Sequence, residues 1–197
     1  MLTLNASSTT AFIANSDTTA SILACPIING SISQTCSNTG ATLPVNATPV
    51  GIILNSTNTI SYFGNYVVNN VTQCIVNGSG FSSCSNKTGD GIINFSNPAG
   101  VALTSNGNIL YIADSSTPNV YGCETTPNGP SEFSHCFIAT TLGSPPWGIT
   151  LNAQGTIAYV TGYGTTVSVC PILSDGTFPI CTGVTGFSSA VDVSLLY

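Results

Sequence analysis

Charge is nearly absent from this chain. Its 197 residues include a single Lys or Arg, seven acids and one His, a charged content of 4%. Lys87 is the one fixed cation, so a run of phosphates cannot be neutralised and nucleic-acid binding is not expected. The same lack argues against attachment to anionic membranes, and no apolar run reaches the roughly 20 residues that span a bilayer. No two cysteines have the close spacing of a zinc knuckle, and the lone His cannot complete one. Sustained helical periodicity is missing too, because Gly, Pro, Asn and β-branched residues interrupt every window. The opening residues MLTLNASS lack the basic start and apolar stretch of a signal peptide. They read as the start of a processed or partial chain, or of one exported by another route.

What remains is a folding composition, 42% hydrophobic, with Ser, Thr and Asn in place of charge on the surface. A chain of this length buries about 70% of the surface its unfolded form exposes. The eight cysteines fall into four evenly placed pairs: Cys25/Cys36, Cys74/Cys84, Cys123/Cys136 and Cys170/Cys181. Four local disulfides in an oxidising compartment are the expectation.

The pairs belong to a repeat. Leu4, Leu54, Leu103 and Leu151 recur in steps of 50, 49 and 48 residues, and Phe12, Tyr62, Tyr111 and Tyr159 follow the same steps. A β-branched residue, Ile22, Val71, Val120 or Val167, stands three positions before each first cysteine. Every copy carries a turn dipeptide: Asn29-Gly30, Asn77-Gly78, Asn128-Gly129 or Asp175-Gly176. These favour the positive φ angles of a type I′ hairpin. Each copy therefore reads as four short strands, the fourth running from the Gly turn to the second cysteine. Four antiparallel strands in about 49 residues is the pattern of a β-propeller blade, stacked on its neighbours because one blade cannot bury both faces. The expected fold is all-β: a single propeller domain of four four-stranded antiparallel blades. The copies span about 1–47, 48–96, 97–144 and 145–190, with a spare first strand at 191–197.

The segment PAGVALTSNGNILYIADSSTPNVYGC, residues 98–123, resembles the NHL-repeat and lactonase-type propeller blade. PVGIILN and PPWGITLN match the same pattern, whereas SSAVDVSLLY lacks its Pro and Gly. The resemblance implies a first strand at the propeller axis and a fourth at the rim, so that each disulfide joins the two outermost strands of its blade. In the fourth copy a two-residue Asp175-Gly176 turn would set Cys170 opposite Cys181, with bulges or longer turns in the others. MLTLN and AVDVSLL both align with first strands, giving five for four blades. Three readings follow: a closed ring with a terminal extension, part of a larger propeller, or strand addition to a second molecule in a head-to-tail polymer.

Chemistry is sparse. Asp17, Asp90, Asp114 and Asp192 fall on or near one loop face, where a ring of carboxylates suits calcium, but they lack regular spacing and Asp114 reads as an Asx turn. No metal or other cofactor is expected. His135 has no visible Ser or acid partner. Trp147 lies just before an inner strand, placed to stack on a sugar or to pack between blades. The lactonases implied by the resemblance use metal-binding acids or His and Arg clusters that cannot be placed here, so no catalytic residue and no enzymatic activity are expected. Asn-x-Ser/Thr occurs at Asn5, Asn29, Asn46, Asn55, Asn70, Asn77, Asn86 and Asn94, which are the candidate glycosylation sites. The expected protein is extracellular or on the cell surface, structural, glycosylated and self-associating, possible ligands being a glycan or a partner protein on the face with Trp147.

Overall fold

The computed structural model describes residues 1–17, 21–126 and 133–192. Blade one holds β1 (Leu2–Leu4), β2 (Thr10–Asn15) and β3 (Ser21–Ile28), with its fourth strand broken into β4 (Ser31–Ile32) and β5 (Ser37–Asn38). Blade two is β6 (Pro49–Leu54), β7 (Ile60–Asn65), β8 (Asn70–Asn77) and β9 (Gly80–Lys87). Blade three is β10 (Pro98–Leu103), β11 (Ile109–Asp114), β12 (Asn119–Glu124) and β13 (Cys136–Thr141). Blade four is β14 (Pro146–Leu151), β15 (Ile157–Gly162), β16 (Thr166–Pro171) and β17 (Thr182–Thr185). Every neighbouring pair within a blade is antiparallel, and the result is the expected four-bladed β-propeller.

The tight turn between first and second strands is built the same way in each blade. Ser8, Asn58, Gly107 and Gly155, again 50, 49 and 48 residues apart, all have positive φ. A short acceptor side chain closes each turn onto two backbone N–H groups. Asn5 accepts from Thr9 and Thr10, Asn55 from Thr59 and Ile60, Thr104 from Asn108 and Ile109, and Asn152 from Thr156 and Ile157. A hydroxyl or amide at this position satisfies donors that the reversing chain would otherwise leave unpaired.

The turns between third and fourth strands differ from expectation. Asn29 and Gly30 do form a two-residue turn with φ of 51° and 75°. In blade two, pairing continues to Asn77↔Gly80, so the turn residues are Gly78 and Ser79. Asp175-Gly176 closes a loop through Gly176 N–H to the Leu173 carbonyl, but the chain has already left the sheet there. Asn128-Gly129 lies outside the described residues. The fourth strand also runs past the second cysteine in blades two and three, and in blade four it begins only after it.

The reason is a wedge. Phe81, Phe133 and Phe178 each lie three residues before a second cysteine, and each is buried against the preceding blade. The Phe81 N–H donates to Thr39 of blade one, and the Phe178 N–H to Ala139 of blade three. Blade one, first in the array, has Ser33 at this position. All four expected disulfides are formed, with Cα–Cα separations of 4.1–4.2 Å. Cys123 and Cys136 are direct cross-strand partners, whereas a β-bulge between Gln73 and Ile75 brings Cys74 to Cys84.

Between blades, residues on one face of each sheet meet the opposite face of the next. Tyr62 packs towards Val101 and Ile112, as Tyr111 does towards Ile149 and Val160. The inner strands approach so closely that a side chain is excluded at three equivalent positions. A Cβ on Gly51 would lie 2.4 Å from the Ala99 carbonyl oxygen, on Gly100 2.7 Å from that of Trp147, and on Gly148 2.9 Å from that of Val191. Val191 and Asp192 thus occupy the register of Ala99–Gly100 and Trp147–Gly148, as the start of a fifth first strand would. The rest of that expected strand, 193–197, lies outside the described residues.

Candidate functional site

Asp114 ends β11 fully buried, its carboxylate accepting from the backbone N–H groups of Ser96, Asn97 and Ser116. It clasps the chain that passes from blade two to blade three. Asp90 accepts from Cys136, Ile92 and Ile93. Those donors, Cys136 first, hold its carboxyl below the usual range. Asp90 therefore ties the same crossing to the rim strand β13, away from the end of β11 where Asp114 sits. Asp17 follows β2 and lines a shallow groove with Asn38 and residues 41–48. Among the described residues no three His, Cys, Asp or Glu side chains gather to hold a metal ion. The acids grouped by the sequence reading are thus not brought together. His135 is exposed on the rim, its ring stacked 6.0 Å from that of Phe137.

Trp147 is different. Half-buried at the start of β14, it lies 5.0 Å from the Tyr66 ring and 4.7 Å from that of Tyr163, tilted 56° to each. Tyr66 and Tyr163 are equivalent residues of blades two and four, each just past its second strand. Blade three has Ser115 there and Ala99 at the Trp147 position, small residues that let the rings meet. The Tyr163 phenol is held above its ordinary value by partial desolvation and then by the nearby Tyr66. Sequence reasoning missed both tyrosines, although their spacing of four from Tyr62 and Tyr159 was available as a signal.

The candidate glycosylation positions divide by exposure. Asn29, Asn46, Asn77, Asn86 and Asn94 are exposed. Asn55 is buried as a turn clasp, and half-buried Asn5 does the same work in blade one. Asn70 is buried, accepting from Asn65 and donating to the Val68 carbonyl. Burial separates these three from Asn77 and Asn86, which are exposed although they also bond locally, Asn77 donating to Ser82 and Asn86 accepting from Thr72.

One apolar groove of about 760 Å³ lies on the outer face of blade four, lined by Tyr159, Val167, Val169, Val184 and residues 186–192. Tyr159 is the counterpart of Tyr111, which is fully buried against blade four. At the other end of the array Leu2 and Leu4 are 52% and 42% exposed, while their counterparts Ile52 and Leu54 are buried.

No protein family and no curated protein matches this chain. Solved structures do. A candidate 6-phosphogluconolactonase from Bacteroides uniformis superposes with a TM-score of 0.68 at 11% identity, over 95% of this chain and 55% of its own. The periplasmic gluconolactonase of Pseudomonas aeruginosa gives 0.66 at 12%, over 95% and 70%. A chain of a nidogen–laminin complex gives 0.64 at 14%, over 87% and 59%. These neighbours correct the expectation that the chain is not an enzyme. Proteins named for lactone hydrolysis share its fold, so a sequence without a legible triad does not exclude catalysis. The chain spans little more than half of the first of them, and what it has in common with all three is the β-propeller.

Proposed function

We propose that this chain is an extracellular structural protein, disulfide-stapled and N-glycosylated, whose propeller arrays join head to tail. The observation that carries this reading is the pair of end faces that stay partly open among the described residues. Within the chain, the trailing face of each blade packs on the leading face of the next. The groove around Tyr159 is a trailing face, and Leu2 and Leu4 belong to a leading one, so repetition makes the two ends complementary. Val191 and Asp192, which take the place of a next first strand over Gly148, would lie at this contact, and blade one has Ser33 where the later blades carry the wedge. The staples suit an oxidising exterior, and glycans on Asn29, Asn46, Asn77, Asn86 and Asn94 would hydrate a surface poor in charge. The repeats themselves are read as NHL and lactonase-type on the residue 98–123 pattern.

Replacing Leu2 and Leu4 by Asp is expected to weaken self-association at least tenfold without lowering the melting temperature, since both side chains are already exposed. Sedimentation of wild type and variant measures this. A wild-type chain that stays monomeric at high micromolar concentration rules the reading out.

A second reading, lactone hydrolysis, is favoured by the neighbours in the propeller comparison. Turnover of gluconolactone by the purified chain above the buffer rate, with divalent cations supplied, is its expected result. A rate equal to buffer removes it.

A further inference from the structure

We infer that Tyr66, Trp147 and Tyr163, with the groove beside them, form a binding site for a neutral glycan, one sugar ring stacked on the aromatic faces. Two tyrosine rings incline at 56° on either side of the indole, and Tyr163 is 66% exposed. A large ring left this open next to two others offers apolar faces and phenolic edges together, the combination that suits a partner with one apolar side and many hydroxyls. A pyranose has that form, its axial C–H groups on one face and its hydroxyls around the edge.

The adjoining groove carries the matching polar half. It holds about 330 Å³, within the range of small-ligand sites, and is lined by Ser144, Thr165, Thr166 and Ser168 together with Leu142, Val160 and neighbouring prolines and glycines. Pro146 in its wall precedes Trp147, and Gly162 and Gly164 flank Tyr163, so the groove lies beside the aromatic cluster. Its lining mixes hydroxyls with aliphatic side chains and has no charged side chain. Such a lining suits an uncharged, hydroxyl-rich partner. Thr161 is 1% exposed, and its hydroxyl has no hydrogen-bond partner among the described residues. That hydroxyl is packed against Gly148, so the hydroxyls offered to a ligand are those of Ser144, Thr165, Thr166 and Ser168.

The cluster draws on blades two and four across the small residues Ala99 and Ser115 of blade three. A single blade could not make it. The site is independent of the end faces, so it stands or falls apart from head-to-tail assembly.

The chain has one Trp, so its fluorescence reports this site alone. Titration of the intact, oxidised protein with maltohexaose, cellopentaose, chitopentaose and mannopentaose is expected to give a saturable shift with at least one of them. Tyr163→Ala should weaken that response at least tenfold with an unchanged melting temperature, because the ring is mostly exposed. Ser168→Ala removes a hydroxyl from the groove wall and should weaken binding several-fold, measured by calorimetry. No saturable response to any of the four sugars overturns the proposal. So does a response that Tyr163→Ala leaves intact, or one seen only with choline, which would mark a cation site.

Discussion

Phe178→Ala is expected to cost about 3–5 kcal/mol, the range for emptying a buried aromatic site. Phe178 is 2% exposed and its ring centroid lies 4.9 Å from that of Tyr111, a residue of the preceding blade. Its own N–H donates to Ala139, and the Tyr111 hydroxyl donates to the Gly176 carbonyl at 2.9 Å. Burial, and then the charge of Asp175, push the Tyr111 phenol up to about 12, so this contact is made by the neutral hydroxyl throughout the physiological range. Truncation leaves a cavity between blades three and four and frees the loop that reaches back across them. Urea denaturation followed by circular dichroism measures the loss. Phe187→Ala, at a side chain 44% exposed, should stay within about 0.5 kcal/mol of wild type. Equal effects of the two substitutions would show that the wedge does not hold the blades together.

Reduction of all four disulfides is expected to abolish the cooperative melting transition. Each closes a short loop, of sequence separation 10 to 13. Each contributes on the order of 3 kcal/mol in the chain-entropy account. Four such terms, about 12 kcal/mol, match the whole stability of an ordinary domain at about 5–15 kcal/mol. The bonds also pin the outermost strands, and β17 is exposed along its length, the position at which an unsecured edge pairs with other chains. Exposure sets the order of loss, since exchange requires a thiolate to reach the sulfur. Cys36 is exposed whereas Cys123 and Cys136 are both buried. Timed alkylation with mass spectrometry should find Cys25–Cys36 opening first and Cys123–Cys136 last. A reduced chain that melts within a few degrees of the oxidised one would show that blade packing suffices alone.

Contacts made within a blade were largely legible beforehand. The steps of 50, 49 and 48 residues located the first strands, and the cysteine spacing located the staples, because hairpins and local disulfides join residues close in the chain. The Asn-x-Ser/Thr pattern gave no sign that Asn5 and Asn55 close turns. The same letters serve there as turn clasps, a role that Thr104 and Asn152 reveal only once the four turns are superposed. The Phe wedge was written in the sequence three residues before three of the four second cysteines. Its meaning was hidden because its partner is on another blade: Phe178 meets Tyr111, far away in sequence. For the same reason Asp90 and Asp114 read as one loop face but are spent on two separate backbone clasps, and Trp147 could not be matched to Tyr66 and Tyr163.

By itself, the sequence determined how many blades there are, what each is made of and where each is stapled. These depend on interactions spanning a dozen residues or so, which composition and period record directly. Only the tertiary structure decided which faces are covered, which amides are free and which rings come together. Those outcomes depend on how one blade lies against the next, and side chains that meet there come from copies some fifty residues or more apart, with no local pattern to announce them.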